Sequence, residues 1–258
     1  MIRLGLSLLA LLLALAVFGP WLTGVSASAQ DLERVLMPPG LGEWLGTDNL
    51  GRSVVTRLAY AIRLSTGLAL LSVLSAAVPG TALGLLAAWR GGWVERLLVM
   101  LADAVLALPG LLLVLILLAF APGAIWPFYV GLALVLWVEY FRVVRAQART
   151  LLASPQVEAA ALMGFGWPYI LRCHLLPELL PILLTLMTLG VATAVVALST
   201  AGYIGVGLRP PTAELGLMIS EAFPYVFEAP WLIIAPVATL LLLIAGLACI
   251  AEALRRAR

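Results

Sequence analysis

The residues of this sequence able to do chemistry are few, and their spacing excludes most of it. His174 is the one histidine, and Cys173 and Cys249 are the two cysteines. That set is too small and too scattered for a metal cage or a disulfide framework. All fifteen basic residues are arginine, since no lysine occurs anywhere. A Walker A loop and a Schiff base both need a lysine amine, so the chain cannot hydrolyse ATP through a P-loop of its own. An intramembrane protease or transferase would need a nucleophile beside a base, or a metal cluster, at membrane depth. His174 stands in a polar joint, apart from the apolar runs that hold Ser65, Ser72 and Ser199. The run Gly202-Tyr203-Ile204-Gly205-Val206-Gly207 has the outline of a nucleotide loop, but no strand precedes it and no lysine accompanies it. No catalytic residue, metal site or cofactor is therefore expected.

Two carboxylates, Asp103 and Glu139, lie within apolar runs. At membrane depth each costs about 2.5–3.5 kcal/mol on insertion scales, so each needs a partner or water. Asp103 follows a polar joint by less than two turns and can reach the interface. For Glu139 two readings stand open: an ion pair with Arg142 one turn on, or a side chain that faces a pore and tunes solute passage.

These residues have to be positioned by membrane helices. With 64% hydrophobic and 11% charged residues and a mean hydropathy of +1.12, the chain lies outside the soluble range. It reads as an all-α integral membrane protein with six transmembrane helices. The net charge of +2 carries no nucleic-acid footprint. Residues 1–22 form an N-terminal anchor, with a cleaved signal peptide as the rival: Arg3 as n-region, 4–18 as h-region, Ala27-Ser28-Ala29 as cleavage site. Residues 23–63 form a periplasmic segment in which 54–63 is expected as an amphipathic surface helix. The second run, 64–89, is long enough to cross, and Pro79-Gly80 predicts a kink. Arg90 and Arg96 put the next joint inside by the positive-inside rule. The third span covers 97–119 and contains Pro109-Gly110, and Ala121-Pro122-Gly123 with Pro127 bounds a short outer turn. The fourth span, 128–144, leads into Arg142, Arg145 and Arg149, and the fifth covers 179–208. The last, 230–251, ends in Arg255, Arg256 and Arg258, so both termini are expected in the cytoplasm.

The joint at 150–178 departs from this alternation of apolar run and short turn. Glu158-Ala159-Ala160 and then Gly164 suit a helical turn or two ending on a residue that tolerates a left-handed backbone. Pro177 and Pro181 suit the first turn of the next helix, where a missing N–H costs little.

Glu158, Ala159, Ala160, Gly164, Leu176 and Pro177 stand at the spacing of the EAA loop (EAA, three residues, G, nine residues, I-x-L-P), and this stretch resembles that loop in permeases of binding-protein-dependent ABC importers. His174 occupies the isoleucine position, as in the dipeptide, oligopeptide and nickel branch. Leu45 to Ser53 is similar to the branch's LGTDxLGRD signature, with Ser53 in place of Asp. The run at 202–208 resembles its GLSFLGLG element, and Pro210-Pro211-Thr212-Ala213-Glu214-Leu215-Gly216 its PPTPxWG, with Leu215 in place of Trp. The resemblance covers the chain from about Trp44 onward and implies a type I ABC importer permease fold with residues 64–258 as the core membrane domain of five helices. It further implies a second homologous permease, two cytoplasmic ATP-binding subunits and an external solute-binding protein. In the family the EAA loop docks on the ATP-binding subunit, which assigns ATPase coupling to the six residues named above. The cargo is a peptide or a nickel or metal chelate, and Thr212-Ala213-Glu214 leans towards the metal branch. A freestanding secondary transporter is the other reading, disfavoured by the lack of an internal repeat and by the EAA spacing.

Overall fold

A computed structural model describes residues 2–121 and 123–256 of the chain. Pro122 of the outer turn and Arg258 of the basic end lie outside the described residues. Among the described residues the regular structure is helical, with one isolated antiparallel bridge between Thr47 and Ser53. The helices are α1 (Ile2–Thr23), α2 (Val54–Arg90), α3 (Gly92–Leu106), α4 (Gly110–Phe120), α5 (Trp126–Leu152), α6 (Pro155–Leu162), α7 (Trp167–Ile170), α8 (Leu176–Tyr203), α9 (Leu215–Ala222) and α10 (Trp231–Arg256). A π-helical turn, Leu171–Leu175, joins α7 to α8. Five helical runs are long and apolar enough to cross a membrane, and α3 with α4, bent by 74°, makes a sixth where the pair is one span.

Within a bilayer lipid tails are as apolar as leucine, so close packing rather than hydrophobicity joins the helices. The α2–α5 pair shows how. Gly80 and Gly84, one turn apart on α2, let α5 approach so closely that an added Cβ would stand 2.6 Å from the Trp137 carbonyl and 2.8 Å from that of Phe141. The sequence reading treated Gly80 only as part of a kink, and α2 is continuous through Pro79. Tyr140 and Val144 of α5 are buried with Val73 and Ala76 of α2 and with Leu179 and Val195 of α8 in one core.

Three expectations about elements are corrected. Residues 54–63 do not form a surface helix. They are the first turns of α2, and Val54, Leu58, Ala61 and Ile62 are buried, the first three of them beneath α9 and α10. The third span is broken at 107–109 because Pro109 offers no N–H and disfavours helical geometry at Leu108. The fifth crossing begins at Trp167, earlier than expected, and ends at Tyr203; Pro177 stands in the first turn of α8 as expected, but Pro181 is interior to it and the helical run is continuous from Trp167. Pro168 takes the corresponding early-turn position of α7. The π turn ahead of Pro177 widens the ladder where the ring would crowd the Cys173 carbonyl.

Candidate functional site

The segment from Ser154 to Pro177 is a short helix held off the end of the bundle. Pro155 opens α6 at the position where its fixed φ is an advantage, and the amides of Val157 and Glu158 donate to the Ser154 carbonyl. The helix stops at Gly164, whose φ of +86° is left-handed. Gly164 N–H donates to Ala161 and Phe165 N–H to Ala160, the paired bonds of a Schellman cap. Val157 and Ala160, one turn apart, are buried against the bundle, whereas Glu158 and Ala159 face outward. Beyond them Leu162 is 84% and Met163 69% exposed, with Phe165 beside them. These three apolar residues belong to the outward face, and sequence reasoning passed over them as the residues flanking Gly164.

Aromatic contacts fix the rest of the loop. Trp167 stacks on Trp89 at the end of α2, with ring centroids 4.5 Å apart. Phe165 stacks on Tyr169 at 4.1 Å, and the His174 ring meets Tyr169 edge-on at 5.9 Å. His174 is thus a packing residue within the π turn. Leu176 and Pro177 follow that turn, partly exposed, at the head of α8.

The two intramembrane carboxylates part company. Asp103 on α3 pairs with Arg142 on α5, at 2.5 Å. The expected Glu139–Arg142 pair is therefore not formed: Arg142 is taken by a carboxylate on another helix. Glu139 itself is exposed and has no salt bridge among the described residues. One turn towards α6, Glu95 of α3 accepts from both Arg145 and Arg149 of α5, each at 2.8 Å. Arg142, Arg145 and Arg149 share one face of α5, and they tie α3 to the helix that leads into α6.

At the opposite end, the 46–53 signature closes a buried ionic cluster. Asp48 Oδ1 accepts from the amides of Leu50 and Arg52, and its Oδ2 accepts from Arg52 Nε at 2.6 Å and Arg57 at 2.5 Å. Arg57 also donates to Glu221 of α9 at 2.6 Å. Arg52 is 1% exposed. Asp48 and Arg52 lie four residues apart and pair locally, whereas Arg57 and Glu221 meet across 164 residues of sequence.

Glu214, in the connection between α8 and α9, is 1% exposed. Its Oε1 accepts from the Ser199 hydroxyl and Gly216 N–H, and its Oε2 from Leu217 N–H, so it caps α9. Burial pushes its pKa up, opposed by these hydrogen bonds. A carboxylate raised in the folded state stabilises less as pH rises through the folded value. Gly202 and Gly216 leave room for this cap, since a Cβ on either would overlap Glu214 or the Ser199 carbonyl.

These clusters hold the two ends of the bundle, and the carboxylate that accepts from the Ser199 hydroxyl is engaged in capping α9. What they assemble is a bundle with a projecting helix at one end and an ionic latch at the other. Against known proteins, residues 80–258 match the family described as binding-protein-dependent transport system inner membrane component. A dipeptide transport system permease protein of Alkalihalophilus pseudofirmus is 30% identical, covering 98% of this chain and 83% of that one. A di/tripeptide transport system permease protein of Pseudomonas aeruginosa is 33% identical, with 98% and 86% covered. Among solved structures, an inward-facing form of the MetNI methionine ABC transporter aligns with a TM-score of 0.62 at 20% identity, over 78% of this chain and 95% of that one. That likeness gives the type I importer fold. By family match, relatives and fold together, the chain belongs to the binding-protein-dependent transport system inner membrane components, the multi-pass permeases of ABC importers.

Proposed function

We propose that this chain forms half of the translocation path of an ATP-driven peptide importer and receives the ATPase stroke through α6. The observation that carries the reading is α6 itself: a Schellman-capped helix seated on Val157 and Ala160, presenting Glu158, Ala159, Leu162 and Met163 outward. An exposed apolar end beside a carboxylate suits insertion into a groove on a cytoplasmic ATP-binding subunit, with two such subunits, a homologous second permease and an external solute-binding protein completing the complex. Gly164, Leu176 and Pro177 set the angle at which the stroke enters α8. In this reading the membrane domain rocks between inward and outward states as the ATPase pair closes. Residues 64–258 are the working domain, 1–22 an anchor, and both termini lie on the cytoplasmic side with α6.

Peptide is favoured over a metal chelate as cargo. The relatives are named for dipeptides and di/tripeptides, and Glu214, the one carboxylate of the Thr212-Ala213-Glu214 run on which the metal leaning rested, has both oxygens engaged by Ser199, Gly216 and Leu217. Glu139, exposed and unpaired, is assigned to the translocation path.

Co-purification from native membranes tests the coupling assignment. The wild type should bring down ATP-binding subunits and a second permease, and Glu158→Ala and Gly164→Asp should lose the ATP-binding subunits while keeping the permease. A chain that purifies alone and transports without ATP would end the importer reading. Glu139→Gln should assemble normally and alter peptide uptake; unchanged uptake would remove Glu139 from the path.

A further inference from the structure

We infer that the cleft between α3 and α5 is a binding site for the headgroup of an anionic phospholipid. The cleft has a volume of about 420 Å³ and is lined by Glu95, Arg96, Val99, Met100, Asp103 and Arg145. The lining itself balances, Arg96 and Arg145 against Glu95 and Asp103. Arg142 and Arg149 engage those two carboxylates from outside the lining, so the four guanidinium groups around the cleft exceed the carboxylates by two. Arg96 is exposed and pairs with no carboxylate among the described residues. Arg145 gives one terminal nitrogen to Glu95, but its Nε is buried without a hydrogen-bond partner. A buried guanidinium donor left unmade is costly, and an oxyanion in the cleft would satisfy it.

Position and shape select the lipid. Arg149 leads into α6, and Glu95 lies beside it in the first turn of α3, so the guanidinium groups sit at the end of the bundle that carries α6. Val99 and Met100 lie one turn deeper, with Met100 62% exposed. A phosphodiester accepting from Arg96 and Arg145 would therefore have its acyl chains beside an apolar wall. Basic pockets between helices at the inner interface are the setting in which anionic headgroups are held. Because Glu95 ties Arg145 and Arg149 together, the bound lipid would brace the helix entering α6.

The phosphate could come from a lipid or from free phosphate, and the test separates them. The purified complex, with whatever subunits accompany the chain, is measured for thermal midpoint in mild detergent with phosphatidylglycerol, phosphatidylcholine or inorganic phosphate added, and for retained lipid by native mass spectrometry. Arg96→Gln is the test variant, and Arg255→Gln controls for the loss of any positive charge. Phosphatidylglycerol should be retained and raise the midpoint, phosphatidylcholine and inorganic phosphate should not, and Arg96→Gln should weaken retention about fivefold while Arg255→Gln leaves it unchanged. Equal effects of phosphatidylcholine, a shift reproduced by inorganic phosphate, or wild-type retention in Arg96→Gln would each overturn the assignment. No readout here depends on transport, so failure would leave the importer reading untouched.

Discussion

Two glycines show how differently one residue type constrains this fold. Gly164 has open space around it, and what it supplies is a φ of +86°. An L side chain in the left-handed region costs about 1–2 kcal/mol. Gly216 has an ordinary backbone, but a Cβ there would overlap the Ser199 carbonyl, and the clash is with main chain that cannot swing aside. Gly164→Ala should accumulate as a folded protein with a modestly lower thermal midpoint, whereas Gly216→Ala should exceed the ~1–3 kcal/mol typical of overpacking and fail to give a monodisperse species. Size-exclusion chromatography and thermal unfolding in detergent distinguish the two. Gly164 was legible in the sequence because a helix C-cap is a local event. The ion pairs divide by the same criterion. Asp48 and Arg52 are four residues apart and could be paired on paper. Arg57 and Glu221 could not, and of the two readings of Glu139 the ion pair with Arg142 fails because a nearer carboxylate in space, Asp103, lies 39 residues away in sequence.

At the scale of elements, apolar length located nearly every crossing, since a bilayer demands about 20 apolar residues whatever their packing. It could not give the bend between α3 and α4, because hydropathy is blind to direction. The signal was present in Pro109, whose missing amide and steric demand on Leu108 end α3 where the break falls. Pro109→Ala restores the donor and should let α3 run on towards Gly110, reducing the 74° bend. Spin labels at Met100 and Phe120, both exposed, should move apart in double electron–electron resonance. An unchanged distance would place the cause of the bend in packing against α5 instead. Pro177 and Pro181 give the counter-example. They sit inside a helical run because a π turn absorbs the first, and nothing in the amino-acid pattern distinguishes that solution from a helix start.

At the scale of the whole molecule, the charge distribution sets an orientation that the helices alone leave open. Arg90, Arg96, Arg149, Arg172, Arg255 and Arg256 lie at the end that carries α6. The arginines of the opposite end include Arg52 and Arg57, which are buried in the Asp48–Glu221 cluster and belong to the folded outer cap rather than to an exposed loop. Positive loops remain in the cytoplasm, so α6 and both termini should face it, which is also where an ATP-binding subunit could reach Leu162 and Met163. Labelling with a membrane-impermeant maleimide checks this in a background with Cys173 and Cys249 replaced by serine. Arg256→Cys, at an exposed position, should react only in inverted vesicles. Phe227→Cys, in the loop before α10 and 97% exposed, should react only in intact spheroplasts. The reverse pattern would put α6 on the outer face and so defeat the coupling role, however well the helix is capped.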